Sequence, residues 1–246
     1  MFQTFKGISF AVAVIFGCSK KKMEDTSDEI NLNLRVHLMR GTPWVHPTRV
    51  SMESWVTKQD VSDTIFPEIN SIWSQANITW NSESIVEENI VVGSDYQTAV
   101  DYIVNSARDD EGVSDPNRLP YLYGLMQPDN RSSNAQLGTN LFHVYVFPFT
   151  GNTSQGNAMA GLGYHTVVGQ WSNKHTDSES PEKMYLTEDH SKFVRGSLSA
   201  TIAHELGHVV GLSHNECKKC LMSSSGYSMT DTQIETARAK ATNRVK

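Results

Sequence analysis

The chain has 246 residues, of which 38% are hydrophobic and 20% are charged, and its formal net charge is −6 at pH 7. This length allows one ordinary globular domain with a sizeable core, and the composition excludes a wholly disordered chain. The negative charge argues against a nucleic-acid-binding protein, whose binding face would be basic. We therefore expect no nucleic-acid partner, and we expect a monomer.

Residues 1–17 are predicted to be an export signal. Lys6 precedes the apolar run GISFAVAVIFG, which has the length of a signal-peptide core and is too short for a membrane span of about 20 residues. The run ends in VIFGC, which resembles a bacterial lipoprotein signal, in which Cys18 receives lipid. Phe16 is bulkier than the small residue usual there, so an ordinary cleaved signal with an incidental cysteine is the alternative.

Residues 18–30 are predicted to be a flexible tether, because this stretch is charged and lacks aromatic side chains. A tether after a lipid-bearing cysteine predicts a protein held at the bacterial outer membrane or cell surface. The alternative signal predicts a secreted protein. In both cases residues 31–246 are expected to form one folded domain.

The folded part begins with alternation and then changes to helical spacing. NLNLRVHLMR predicts a half-buried strand whose inward side chains are Leu32, Leu34, Val36 and Leu38. KQDVSDTIFPEINSIWSQAN predicts a long helix with an apolar face made by Val61, Ile65, Ile69, Ile72 and Trp73. ITWNSESIVE alternates again and predicts a second strand.

The middle of the chain completes an α/β pattern. Asp95–Asp110 has helical spacing, and residues 112–138 are rich in loop-forming residues. LFHVYVFPF predicts a central strand, and GNAMAGLGYHTVVGQW predicts an irregular edge segment that runs into a strand. Two helices follow, the second of them SMTDTQIETARAKATNRVK with Thr230 as its cap. This order predicts an α/β sheet domain.

The segment RGSLSATIAHELGHVVGL predicts an amphipathic helix with Ser197 at its N-cap. His204 and His208 are four residues apart, so both lie on one face of that helix. Two neutral imidazoles in this arrangement can bind one Zn²⁺ ion. Glu205 lies beside the first ligand, where it can reach a water molecule on the metal.

Gly211 follows His208 by three residues and can end the helix in a left-handed conformation. The chain would then turn back and bring His214 to the metal as a third ligand. Three protein ligands leave one position open, which is typical of catalytic rather than structural zinc. The full pattern is H-E-x-x-H-x-x-G-x-x-H.

This pattern resembles the zinc-binding motif of the metzincin metallopeptidases. Met222, eight residues after His214, resembles the Met-turn methionine of that family, at a matrixin-like interval. The resemblance implies a twisted mixed sheet with a long helix behind it, an active-site helix and a C-terminal helix. No tyrosine stands two residues after Met222, where some branches have another ligand, so one catalytic zinc with three protein ligands is expected.

The resemblance implies a zinc-dependent endopeptidase in which Glu205 activates a metal-bound water as general base and then protonates the leaving amine. Protein or peptide substrates would lie in extended form along an edge strand. The candidate strand is NAMAGLGYH, which includes Ala160 and Gly161, because its glycines allow close backbone approach. Tyr227 is a candidate for the wall of the pocket beyond the scissile bond, or else a surface tyrosine in a turn.

Cys217 and Cys220 lie between the third ligand and the Met-turn. A structural zinc site would need four ligands and no second pair of cysteines exists. A thiolate on the catalytic metal is the other alternative, although three histidines already fill its protein positions. Because an exported protein meets oxidising conditions, we predict a Cys217–Cys220 disulfide.

Three further interpretations stay open. The stretch NKHTDSESPE could supply oxygen ligands to Ca²⁺, but a solvated acidic loop explains it better. The protein could be a non-proteolytic surface lipoprotein that uses a metzincin scaffold for protein binding, or a pappalysin-like or archaemetzincin-like peptidase. The six remaining histidines show no ligand spacing and are given no role: His37, His46, His143, His165, His175 and His190.

Overall fold

The structure is a computed structural model that describes residues 28–40, 44–45, 51–52, 56–89, 122, 141–149, 156–158, 164–171, 198–214, 217, 219–223 and 226–245. Several sequence predictions lie outside these residues: the export signal with Cys18, most of the tether, the helix predicted over Asp95–Asp110, the acidic stretch NKHTDSESPE, and the substrate candidates Ala160 and Gly161.

Seven strands and four α-helices are described. In chain order the elements are β1 (Ile30–Arg40), β2 (Trp44–Val45), β3 (Ser51–Met52), α1 (Lys58–Asp60), a π-helical turn (Val61–Ile65), α2 (Phe66–Trp73), a 3₁₀ turn (Ser74–Ala76), β4 (Ile78–Asn89), β5 (Leu141–Phe149), β6 (Gly156–Ala158), β7 (His165–Trp171), α3 (Leu198–Val209) and α4 (Asp231–Val245).

Five of the strands form one mixed sheet in the order β4-β1-β5-β7-β6, and β2 pairs with β3 in a separate hairpin. Within the sheet β4, β1, β5 and β7 are parallel, whereas β6 runs antiparallel to β7 at the edge. The predicted α/β class is therefore confirmed, as is the central position of β5. The edge position predicted for the segment before β7 is confirmed for β6.

Strand β1 is more deeply buried than its alternation predicts. Leu32 and Leu34 point into the core while Asn31 and Asn33 are exposed, as expected of a half-buried strand. After a register shift between Leu34 and Arg35, every residue from 36 to 39 is buried. The half-buried interpretation is wrong for this second half, because β1 lies between β4 and β5 and both of its faces are covered there.

The helical run from α1 to the 3₁₀ turn covers one face of the sheet. It begins with a capping box in which Thr57 and Asp60 satisfy each other's backbone N–H groups. The five apolar side chains predicted to face inward are all fully buried. Trp73 meets Trp80 of β4 edge to face, with ring centroids 5.7 Å apart. The run ends at Asn77, which adopts a left-handed φ of 50°.

Helices α3 and α4 complete the same core. Helix α3 packs against α2, β6 and β7, and α4 packs against β1 and the 3₁₀ turn. The predicted cap of α4 is confirmed, because Thr230 Oγ1 accepts from Gln233 N–H at 3.2 Å and Gln233 Oε1 accepts from Thr230 N–H at 3.0 Å. No helix among the described residues is long and apolar enough to cross a membrane.

Candidate active site

Three imidazole rings converge beside helix α3. His214 Nε2 lies 3.1 Å from His204 Nε2 and 3.1 Å from His208 Nε2. Tetrahedral ligands at the usual Zn–N distance of ~2.0–2.1 Å would be about 3.3 Å apart, so one zinc ion fits among the three nitrogens. Within the described ranges this is the only group of His, Cys, Asp and Glu side chains close enough to hold a metal ion.

Hydrogen bonds from the opposite ring nitrogens orient two of these rings. His204 Nδ1–H donates to the Leu221 carbonyl at 2.7 Å, and His208 Nδ1–H donates to the Leu212 carbonyl at 2.9 Å. A proton on Nδ1 leaves the Nε2 lone pair available for a metal ion, which is how backbone carbonyls fix the tautomer of ligating histidines. The geometry of these two rings therefore fits zinc binding.

Burial also favours the neutral form of these two ligands. Burial lowers the pKa of His208 to about 4, and the nearby His204 and His214 rings add to this shift. The pKa of His204 is also lowered, again mainly by burial, although its hydrogen bond to Leu221 opposes the shift. Both rings are therefore neutral at pH 7, and a neutral ring is the form that binds metal.

The turn after α3 brings His214 back to the helix. Gly211 adopts φ +86°, a conformation that glycine accepts without a steric penalty. Gly211 N–H donates to the His208 carbonyl and Leu212 N–H donates to the Gly207 carbonyl, both at 2.9 Å. This pair of bonds is a Schellman motif, so the predicted role of Gly211 in ending the helix is confirmed.

Glu205 lies on α3 next to His204 and is only 7% exposed. Its carboxylate does not belong to the three-histidine group that could hold an ion. A carboxylate beside a metal site that does not itself ligate the metal is placed to exchange a proton with a bound substrate or water. The structure thus separates Glu205 from the ligands, as the sequence pattern requires.

The floor of the site is the segment around Met222, which is fully buried. A Cβ atom built on Gly207 would lie 2.5 Å from Met222 Sδ, so the methionine packs directly against the helix backbone between the two helical ligands. The preceding residue, Leu221, accepts the hydrogen bond from His204 Nδ1–H at its carbonyl. The Met222 turn therefore packs against α3 at Gly207, between the two helical ligands.

A disulfide joins Cys217 and Cys220, whose Cα atoms are 5.3 Å apart. Cys220 N–H also donates to the Cys217 carbonyl at 3.0 Å, and Ser223 N–H donates to the Cys220 carbonyl at 2.9 Å. The bridge lies between His214 and Met222 in the chain. The disulfide therefore restrains the backbone between His214, the third candidate ligand, and the buried Met222.

Tyr227 is the exposed large hydrophobic side chain among the described residues, at 45% exposure. Its backbone is fixed, because its N–H donates to the Lys219 carbonyl at 3.2 Å and its carbonyl accepts from Gln75 Nε2 at 2.8 Å. A rigid backbone that presents an exposed aromatic ring just after the Met222 turn is suited to contact a ligand.

Three histidines without ligand spacing in the sequence meet on the other face of the sheet. His37 Nδ1 lies 2.7 Å from Glu88 Oε1, and His37 Nε2 lies 2.9 Å from His143 Nδ1. His143 stacks on His165 with ring centroids 4.9 Å apart, and His165 Nδ1 lies 3.1 Å from the Tyr145 hydroxyl. These histidines, which were given no role from the sequence, therefore form one buried polar cluster.

Burial dominates the protonation of this cluster. Burial, with a smaller contribution from neighbouring imidazoles, lowers the pKa of His143 to about 2 and that of His165 to about 4. Burial also lowers the pKa of His37, although its hydrogen bond to Glu88 opposes the shift. The sequence contained a signal for His143 alone, because that histidine interrupts the mainly apolar strand LFHVYVFPF.

The fold and the three-histidine site define a zinc metallopeptidase of the metzincin type. The family described as Metallo-peptidase family M12B, reprolysin-like, matches residues 66–215, which is more than half of the chain, so the chain belongs to that family. The predicted metzincin relationship is confirmed. The matching family is the reprolysin-like one, whereas the matrixin-like expectation rested on the short interval from His214 to Met222.

Other comparisons add little. A solved zinc-dependent peptidase from Methanocorpusculum labreanum (strain Z) is 11% identical, with a TM-score of 0.39, and the match covers 83% of this chain and 99% of that one. No curated protein matches the sequence.

Proposed function

We propose that this protein is a zinc-dependent endopeptidase in which Glu205 is the general base and general acid. The observation that carries the proposal is the convergence of three imidazole Nε2 atoms. That of His214 lies 3.1 Å from each of the other two. The adjacent Glu205 is not a member of this ligand set. Zinc held there would lower the pKa of a water molecule towards 7 and polarise a peptide carbonyl.

The protein groups perform the remaining steps. His204 and His208 hold their Nε2 lone pairs towards the metal position, because both Nδ1–H groups are committed to backbone carbonyls. Glu205 accepts a proton from the attacking water and delivers it to the nitrogen of the leaving amine. Glu205 is 7% exposed and is adjacent in the chain to the ligand His204, which supports this role.

The substrate is proposed to be a peptide in extended form at the edge of the sheet. Strand β6 is the edge strand next to β7, and it packs against α3, which carries Glu205. An edge strand can pair with an added peptide strand through its backbone groups. Ala160 and Gly161, which follow β6, are proposed to extend this contact, and Tyr227 is proposed to form the wall that meets the side chain after the scissile bond.

Purified protein should cleave an unstructured protein at internal sites, as mass spectrometry of the fragments would show. Glu205→Gln should bind one zinc per chain and lower kcat by at least about 10²-fold, the scale of one general acid–base group. Ser223→Ala, which removes a hydroxyl bonded only to the local Cys220 carbonyl, is the control that should retain activity. Full turnover by Glu205→Gln, or removal of terminal residues alone, would contradict the proposal.

A further inference from the structure

Gln75 uses every hydrogen-bonding group of its side-chain amide. Its Nε2 donates to the Ile72 carbonyl at 2.9 Å and to the Tyr227 carbonyl at 2.8 Å, and its Oε1 accepts from Met229 N–H at 3.0 Å. Two of the three partners lie more than 150 residues away in the chain. The amide therefore joins the end of α2 to two backbone groups that flank Ser228.

Residues 226–229 form the wall segment, which carries Tyr227. On one side its backbone bonds to the residues just before Met222, because Ser228 N–H donates to the Lys219 carbonyl at 3.0 Å and Leu221 N–H donates to the Ser228 carbonyl at 2.6 Å. On the other side it bonds to Gln75. The wall segment is thus held between the turn beneath the zinc ligands and a single side chain.

The backbone on both sides of Gln75 is held in place by the core and by α4. Gln75 lies in the 3₁₀ turn, whose last residue, Ala76, is buried and accepts at its carbonyl from Arg238 Nη1 of α4 at 2.7 Å. The preceding Trp73 is fully buried in the core. The Gln75 side chain is exposed, but its backbone is held by buried neighbours, so its amide can restrain the partly exposed wall segment.

The wall segment depends on Gln75 more than the neighbouring residues Leu221 and Met222 do. Leu221 and Met222 are fully buried, so core packing holds the carbonyl that orients His204. Tyr227 is 45% exposed and has no such packing of its whole side chain. Loss of the Gln75 amide should therefore remove one of the two restraints on the wall segment, whose hydrogen bonds to Lys219 and Leu221 remain, and should leave the His204 ligand in place.

We propose that Gln75 is a positioning residue that fixes the wall segment and thereby sets the enzyme's selectivity for the substrate side chain that follows the scissile bond. The proposal rests on the function proposed above. Gln75 acts through the backbone of Tyr227 and Met229 and contacts neither metal nor reacting atoms.

The test compares Gln75→Met with wild type on a peptide library varied at the residue after the cleaved bond. Methionine keeps the length of the side chain and removes all three hydrogen bonds. Losing the two bonds to the wall segment should raise KM for the best peptide by about 3–10-fold and reduce discrimination among library members by a similar factor. Changes in kcat should stay within about 2-fold, and zinc content should remain one per chain.

Gln59→Met is the matched control, since Gln59 is an exposed glutamine of the same helical run whose amide bonds only to Asp63. It should leave KM and the cleavage pattern at wild-type values. An unchanged cleavage profile in Gln75→Met would overturn the proposal, and so would loss of zinc, which would show general damage to the site. A wild-type protein that cleaves nothing would instead refute the proposed function, so the two failures are distinguishable.

Discussion

Met222 Sδ lies against the backbone of Gly207, at 2.5 Å from the point where a Cβ atom on that glycine would stand. Real Cβ atoms do not approach that closely, so any side chain at this position of the zinc-binding helix would force the buried Met222 to shift. Gly207 and Met222 thus pack directly against each other, and a substitution at one of them should shift the position of the other.

Gly207→Ala should destabilise the protein, although alanine is normally the better helix residue by about 0.5–1 kcal/mol. The added methyl group must displace the buried Met222, and overpacking of this kind costs about 1–3 kcal/mol. We expect a net loss of about 1–2 kcal/mol in the free energy of unfolding, measured by denaturant titration. In a Met222→Ala background the same substitution should cost less, and strict additivity of the two changes would disprove the contact.

Removal of zinc should abolish hydrolysis without unfolding the domain. A chelator should stop peptide cleavage, and added zinc should restore it. The fold should persist, because none of the three histidines belongs to the hydrophobic core of the described residues. His208→Ala should bind less than one zinc per chain even at added zinc, since two imidazoles remain. Metal analysis after dialysis decides the point, and stoichiometric zinc in the variant would exclude His208 as a ligand.

The buried histidines should make the protein sensitive to acid. The folded-state pKa is about 4 for His165 and about 2 for His143, below the ordinary value of 6.5. The unfolded chain therefore takes up protons first as pH falls, and stability present above pH 6.5 is lost progressively towards pH 4. Each such histidine changes the free energy of unfolding by up to about 1.4 kcal/mol per pH unit.

His165→Phe separates this effect from other titrations. The ring can still stack on His143, but one titrating group is gone, so the slope of unfolding free energy against pH should fall by about one group's share between pH 6.5 and 4.5. Both proteins should be measured with chelator present, so that zinc binding does not contribute. Identical slopes for the two proteins would rule out the cluster as the source.

Replacement of Cys217 and Cys220 by serine should affect the site more than global stability. The disulfide closes a loop with a sequence separation of 3, so the entropy it removes from the unfolded chain is small. Its local effect is to hold the segment between His214 and Met222. We expect weaker zinc retention, measured by competition with a chelator, with a change in unfolding midpoint smaller than that of Gly207→Ala. The reverse order would contradict this role.

We also propose that Cys18 carries lipid and anchors the protein to a membrane. Stable anchoring requires more than one acyl chain or a second signal. Mass spectrometry of the mature N-terminus should find a lipid-modified cysteine, and Cys18→Ser should move the protein from the membrane fraction to the medium. An unmodified N-terminus in a protein already free in the medium would support secretion instead.

The parts of the site that the sequence predicted are those fixed by local geometry. His204 and His208 share a helix face because they are one turn apart, and Gly211 ends the helix because its φ suits glycine. The cap at Thr230 is equally local, since its partner Gln233 is three residues away. Short-range rules of this kind need no knowledge of the rest of the fold.

What the sequence did not predict depends on pairings far apart in the chain. His37 and His143 are 106 residues apart and meet only because β1 and β5 are neighbours in the sheet. Gln75 and Tyr227 are 152 residues apart. Strand order decides the first contact and the packing of two non-strand segments decides the second. Periodicity reports which face a residue occupies but not which element lies beside it.

The position of β1 has a consequence for how the protein is made. Its hydrogen-bonded neighbours arise late in synthesis: Arg35 pairs with Glu83, 48 residues on, and His37 with His143, 106 residues on. Arg238, near the end, then bonds to the Asp28 carbonyl just before β1. Such long loops close slowly. A nascent chain therefore cannot complete its core before most of it has been synthesised.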